Sequence, residues 1–266
     1  MTTDIATLRH PLDRYLRTER FPHVYCAGCG IGTVLGAYLR ALEKLDALDR
    51  VVTISGIGCT GRASGYVNTD GFHTTHGRAI PFAFGVKTTN PEMEVVVFSG
   101  DGDLFSIGGN HFIHAARRNL DMTIICINNF LYAMTGGQTA PTTPEHAKTA
   151  TTPKGASLRP FNLAHLAAGA GAVYVARYAF NQQTLLTRSI VKAIEKDGLA
   201  FIEAVSPCPV LFGKNNSLKT IDMYQQIKAR TIKLSKEEKE NPRLAPIEFE
   251  PGKGYIRIPV GEFVNI

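Results

Sequence analysis

One unit, from Val95 to Asn129, constrains the fold more than any other part of the chain. Val95-Val96-Val97-Phe98 is a short apolar run of good strand formers, the pattern of a strand buried on both faces of a parallel sheet. It stops at Ser99-Gly100-Asp101-Gly102-Asp103, where glycines let the backbone turn sharply or approach a ligand closely. Helical spacing follows over Gly109 to Arg118, and a second apolar run, Met122 to Ile127, ends at Asn128-Asn129. Strand, helix and strand in that order form a parallel crossover whose two strand ends share one rim of the sheet. Open α/β sheets bind ligands at that rim. The expected fold class is therefore α/β, with a doubly wound, mostly parallel sheet, and Asp101 and Asn129, 28 residues apart, are expected to face one crevice.

Those two residue types suit a hard cation. Magnesium takes carboxylate, amide and backbone carbonyl oxygens together with diphosphate oxygens, and glycine-rich turns present backbone N–H groups to phosphate. A Gly-Asp-Gly alone is also an ordinary turn; the spacing to Asn-Asn carries the additional information.

The composition narrows the class. With 266 residues the chain can bury one large core or two small ones. No apolar run approaches the roughly 20 residues of a membrane helix, and the segment before His23 lacks a hydrophobic signal core. The expectation is a cytoplasmic protein with no membrane contact. The net charge of +6 is spread along the chain with no Lys/Arg cluster, so nucleic acid is not an expected partner. A basic face for an acidic redox partner and a plain solvated surface both fit. No internal repeat or low-complexity segment is present.

Five cysteines, an odd number, argue against a disulfide framework. Cys126 lies inside the apolar run Ile124 to Ile127 and reads as a buried core thiol. The others lie in turns bearing glycine or proline. Cys26-Ala27-Gly28-Cys29 opens a helix expected to reach about Leu45, where the positive helix end favours thiolates. Cys59 follows the strand Val51 to Ser55, and Cys208 follows the strand Ala200 to Val205. If they converge, tetrahedral thiolates suit zinc or an iron–sulfur cluster; otherwise they are unligated thiols. His111 and His114 share a helix face, either as ligands or, more simply, as packing side chains.

Further elements are a helix over Pro81 to Thr88, a short helix over Asn162 to Ala168, a strand over Val173 to Arg177 and a helix over Gln182 to Lys196. Phe130 to Pro160 is too long for an ordinary connection and reads as a functional loop. The expected organisation is an N-terminal arm (1–24, with a short helix near Pro11 to Leu16), a binding domain (25–213) and a C-terminal extension (214–266). In that extension Lys219 to Lys239 has helical spacing, and Ile247 to Val260 reads as an extended arm against a partner subunit.

In order along the chain stand Cys26-Ala27-Gly28-Cys29-Gly30, Gly58-Cys59-Thr60-Gly61-Arg62, His76-Gly77-Arg78-Ala79, Gly100-Asp101-Gly102-Asp103, Gly109-Asn110-His111 and Ser206-Pro207-Cys208. Gly-Asp-Gly…Asn-Asn resembles the thiamine diphosphate motif. The whole set resembles the β subunits of 2-oxoacid:ferredoxin oxidoreductases over about Tyr25 to Phe212. The resemblance implies magnesium at Asp101, Asn129 and the Leu131 carbonyl. It implies thiamine diphosphate contacts at Ile57, Gly58, Cys59, Thr60, His76, Gly102, Asp103, Ala133 and Met134. A four-iron four-sulfur (4Fe-4S) cluster would be held by Cys26, Cys29, Cys59 and Cys208. Implied partners are an α subunit, which supplies the activating glutamate in a dimer of αβ units, and ferredoxin, coenzyme A and a 2-oxoacid.

Met134 to Gln138 with Pro141-Thr142-Thr143-Pro144 resembles the 2-oxoglutarate branch. Some relatives carry Lys in place of Gly136 or of Arg62, so pyruvate or a branched-chain 2-oxoacid stays an alternative. Arg62 reads either as a clamp on a substrate carboxylate or as a surface charge. His76 reads either as a diphosphate contact or as a structural histidine. Rival functions are a non-oxidative thiamine decarboxylase or synthase, and a zinc-bearing scaffold subunit.

Overall fold

The protein is described over residues 10–266 from a computed structural model. Part of the expected N-terminal arm, residues 1–9, lies outside the described residues. Within this arm Leu12 and Tyr15 are buried in a helical turn, Pro11–Tyr15, capped by the His10 side chain, while residues 18–24 are exposed.

The elements follow in order: α1 (Ile31–Leu45), β1 (Val51–Ser55), β2 (Asp70–His73), α2 (Ala79–Thr89), β3 (Glu94–Gly100), α3 (Gly109–Arg117), β4 (Met122–Asn128), β5 (Leu131–Tyr132), β6 (Gln138–Thr139), α4 (Leu163–Ala170), β7 (Tyr174–Ala179), α5 (Gln183–Ile194), β8 (Leu199–Val205), α6 (Thr220–Arg230), β9 (Thr231–Lys233), α7 (Lys236–Glu240), β10 (Glu248–Glu250) and β11 (Gly254–Asn265). The main sheet runs β10-β11-β7-β8-β4-β3-β1-β2, with β9 paired to β11. The strands from β7 to β2 in that order are mutually parallel.

Alternation along the central strands builds two cores, because successive side chains leave a strand on opposite faces. Val96, Phe98, Ile125 and Ile127 join α1 and α5 on one face. Val95, Val97, Ile124 and Cys126 join α2, α3 and α4 on the other. Every residue of β4 and β8 is buried, which is why apolar side chains dominate both. The doubly wound α/β class is the fold observed.

Two expectations need correction. Ile247 to Val260, expected as an extended arm, packs on the chain itself: β10 and β11 form a hairpin, and β11 pairs antiparallel with β7, so the extension completes the main sheet. Charge-rich helical spacing from Lys219 hides a break, since β9 separates α6 from α7. The exposed strand β2 has no apolar pattern and escaped the sequence reading. A buried ion pair fastens the extension. Arg177 Nε lies 2.7 Å from Glu203 Oε2 with both side chains 1% exposed, and Arg177 donates to the Ala245 carbonyl at 2.8 Å and to Asn162 Oδ1 at 2.8 Å. Glu203 in turn accepts from Asn128 Nδ2 at 2.8 Å.

Candidate active site

The ends of β1, β3 and β4 open on one cleft of about 360 Å³, lined by Ile57, Gly58, Cys59, Thr60, His76, Gly100 to Asp103, Asn129 and Leu131 to Thr135. That volume lies within the range of small-molecule sites. The cleft gathers every residue expected to touch magnesium or thiamine diphosphate. Arg62 is not among its lining residues; it is exposed on the turn Thr60–Gly65 that follows Cys59.

Asp101 and Asn129 meet because β3 and β4 are neighbours in register, Gly100 opposite Ile127. The Asn129 N–H reaches Asp101 Oδ1 at 3.5 Å, and the Leu131 N–H donates to Asn129 Oδ1 at 3.2 Å. Asp101 is 1% exposed. Burial pushes its carboxyl up to about 7, against hydrogen bonds from Thr142 and from backbone N–H groups. A buried carboxyl this desolvated is a strong candidate for a cation. With the carboxamide of Asn129 and the carbonyl of Leu131 it makes an all-oxygen donor set, which fits magnesium.

Asp103, two residues on, has a different place. Its carboxylate accepts from the Ile57 N–H at 3.1 Å, the Gly77 N–H at 2.8 Å and Ser99 Oγ at 2.7 Å, and His76 Nδ1 lies 2.6 Å from it. The carboxylate therefore ties the loops after β1 and β2 to the end of β3. It occupies the room a Cβ on Gly56 would need, so Gly56 is required for its approach. At Gly58, with φ +116°, a Cβ would meet nothing within 4 Å, so this stretch of backbone is bare toward the cleft and open to a phosphate.

Several lining or supporting residues went unforeseen. Tyr132 sits on the β5–β6 hairpin, its ring 6.0 Å from that of His76, and a Cβ on Gly102 would come within 2.6 Å of it. The sequence carries no signal for this: Phe130, left-handed at φ 67°, turns the chain back directly after Asn-Asn. Thr142 Oγ1 donates to Asp101 Oδ2, tying the long loop to the cation site. Threonine hydroxyls order that loop internally, as in Thr139–Thr149 at 2.7 Å.

The cysteines converge as well. Burial raises the Cys29 thiol, and Cys208, Cys59 and Cys26 lie near enough to add to that rise; burial raises Cys59 as well, with Cys208 and Cys26 adding to it. Cys126 is fully buried elsewhere. Burial pushes the Cys29 thiol up to about 11, outweighing a hydrogen bond from the helix-start N–H of Ile31. The expected thiolate stabilisation by the helix end is thus overridden by desolvation. Among the described residues no three His, Cys, Asp or Glu side chains gather tightly enough for a single metal ion. Four cysteines match the ligand number of a 4Fe-4S cluster. His111, half-buried against Arg78 at 3.0 Å, and exposed His114 stand apart from both groups.

The chain matches the family described as thiamine pyrophosphate enzyme, C-terminal TPP binding domain, over residues 56–204. It is 48% identical over 258 residues to the 2-oxoglutarate synthase subunit KorB of Methanothermobacter thermautotrophicus, covering 96% of this chain and 87% of that one. It is 40% identical over 232 residues to the 2-oxoacid:ferredoxin oxidoreductase subunit beta of Saccharolobus solfataricus, covering 85% and 72%. A solved structure, 2-oxoglutarate:ferredoxin oxidoreductase from Magnetococcus marinus with 2-oxoglutarate, coenzyme A and succinyl-CoA bound, superposes with a TM-score of 0.83 at 30% identity, covering 97% of this chain and 86% of that one. The fold and the cleft define a thiamine diphosphate-binding oxidoreductase subunit. Within that class the chain belongs to the β subunits of the 2-oxoacid:ferredoxin oxidoreductases, alongside the 2-oxoglutarate synthase β subunits.

Proposed function

We propose that this β subunit carries out coenzyme A-dependent oxidative decarboxylation of 2-oxoglutarate, passing electrons to ferredoxin, with an α subunit completing the site. The observation that carries the reading is the shared mouth of the cleft: Cys59 lines it and belongs to the cysteine nest. Asp101, Asn129 and the Leu131 carbonyl hold magnesium. The backbone of Gly58, Thr60, Gly102 and Asp103 and the side chain of His76 hold the diphosphate. Ile57, Ala133 and Met134 supply an apolar wall to the rings, and Met134 and Ile57 are exposed in this chain, ready to be covered. Cys26, Cys29, Cys59 and Cys208 hold a 4Fe-4S cluster.

When bound, thiamine diphosphate accepts the electron pair released as carbon dioxide leaves, and the cluster carries electrons singly. The protein's own contribution is positional. Asp103 locks the Ile57, His76 and Gly77 loops around the diphosphate, Thr142 holds the Asp101 carboxylate in place, and burial excludes water from the cation. Arg62, exposed beside the nest, is assigned to a substrate carboxylate brought against it in the assembled enzyme.

We place the division of the chain at 25–213 and 214–266, with the extension also meeting the partner subunit, in a dimer of αβ units. We assign the protein to the cytoplasm; among the described residues no helix is long and apolar enough to cross a membrane. Co-purification with the α subunit followed by a 2-oxoacid panel tests the reading. 2-Oxoglutarate should be the best substrate and the β chain alone inactive with a viologen acceptor. Turnover by the β chain alone, or preference for pyruvate, overturns it.

A further inference from the structure

Three side-chain hydroxyls around the cysteine nest are buried and, among the described residues, have no hydrogen-bond partner: those of Tyr25, Ser206 and Tyr255. An unpaired buried hydroxyl is costly, about 1–3 kcal/mol from mutational series, so three in one neighbourhood call for a common acceptor. They come from three separate parts of the chain. Tyr25 immediately precedes Cys26 and is 8% exposed; its ring packs against Tyr66 at 5.7 Å, and the charges of Cys29 and Cys59 act on its hydroxyl. Ser206, 1% exposed, stands two residues before Cys208, and its Oγ fills the space beside Gly30 that a Cβ there would need, next to Cys29. Tyr255, 1% exposed, is on β11, its ring stacked on Phe212 at 6.2 Å, and Cys208 is the neighbouring charge that acts on it.

We propose that the hydroxyls of Tyr25, Ser206 and Tyr255 are O–H donors to the sulfurs of the cluster held by the four cysteines, and that they set its reduction potential. The inference rests on the cluster reading above. Its chemistry is simple. The sulfurs of a thiolate-bound cluster are acceptors only, and the three residues are the missing donors. Adding one electron raises the negative charge on the sulfurs, so each O–H···S contact favours the reduced form. No proton is transferred and no bond is broken. Because Tyr255 lies on the last strand, the carboxy-terminal extension becomes part of the electron-transfer site. Tyr255 and Tyr25 act here as positioning and tuning residues and do not touch substrate.

The experiment is a potentiometric titration of the α-complexed holoenzyme and of its Tyr25→Phe, Ser206→Ala and Tyr255→Phe variants, read by the EPR signal of the reduced cluster. Thermal melting runs alongside. Each variant should have a lower potential than the parent. Together they should lower the reduced-to-oxidised ratio at fixed poise by about tenfold, equivalent to about 59 mV for a one-electron couple. A purely structural role would lower the melting temperature and leave the potential in place. Pulsed EPR of the unaltered enzyme in deuterated buffer is the second readout, and it does not depend on any variant folding. Exchangeable deuterons coupled to the cluster are expected. A cluster without such couplings, or variants with unchanged potentials, overturns this inference alone. A holoenzyme without an iron–sulfur EPR signal on reduction overturns the cluster reading as well.

Discussion

Asp101 and Asp103 are near neighbours in a single turn, yet they do different work. One is a desolvated carboxyl facing the cleft; the other is a hub that ties the loops after β1 and β2 to the end of β3. Asp101→Asn keeps the shape and removes the charge. Since changes around a metal's ligands already cost 10–100-fold in affinity, this variant should weaken magnesium-dependent thiamine diphosphate binding by more than about 100-fold in calorimetry, with little change in melting temperature. Gly56→Ala drives a methyl into the Asp103 carboxylate and should destabilise the protein by about 1–3 kcal/mol. By contrast a Cβ at Gly85, inside α2, meets nothing within 4 Å, and Gly85→Ala should stabilise by roughly 0.4–1 kcal/mol; urea midpoints check both. At this scale residue type and spacing made Asp101 and Asn129 legible. The roles of Asp103, Tyr132 and Thr142 were not, because each depends on loops distant in sequence that only the folded chain brings together.

Among the elements, strands and helices with a clear period were readable: β1, β3, β4, β8 and α1 fall where the pattern put them, within a residue or two. β2 lacks a pattern, and β11 was missed because its partner, β7, is far away in sequence. Arg177 on β7 pairs with Glu203 on β8 and reaches the Ala245 carbonyl of the extension. Removing one partner of a buried pair strands the other, which typically costs about 3–5 kcal/mol. Arg177→Met should be destabilising by that amount, and adding Glu203→Met should recover part of the loss, a coupling measured by a double-mutant cycle. Glu238 at the start of α7 gives a pH-dependent contribution. Burial raises its carboxyl, but hydrogen bonds from the Ser235 N–H and from Arg257 outweigh that and hold it below its ordinary value. A depressed folded value contributes stability that is complete above the unfolded value and is lost as pH falls through the folded one. Stability should therefore decline on acidification below about pH 4.3, and Glu238→Gln should remove this part of the decline, as acid titrations followed by circular dichroism will show.

On the scale of the whole molecule, the chain presents a formed cleft with exposed apolar side chains around it. Ile57 and Met134 line the cleft, and Phe72, Phe82, Phe84 and Ile107 stand exposed on β2, on α2 and in the turn after Asp103. Such surface in one subunit marks where others dock. The expectation is that the isolated β chain binds magnesium and thiamine diphosphate, shows a shoulder of absorbance near 400 nm (roughly where thiolate-bound clusters absorb) and does not turn over until the α subunit is added. The family was legible from scattered glycine and cysteine motifs, since cofactor chemistry demands particular residues. The packing of the carboxy-terminal extension was not, since nothing local in residues 214–266 names the strand it joins.

The seating of β11 on β7 has a practical side. A version of the protein ending at Lys253 would leave β7 with a row of bare N–H and C=O groups, a template for capturing a like strand from another molecule. Such shortened chains should polymerise, whereas the intact one keeps that template covered with its own last strand.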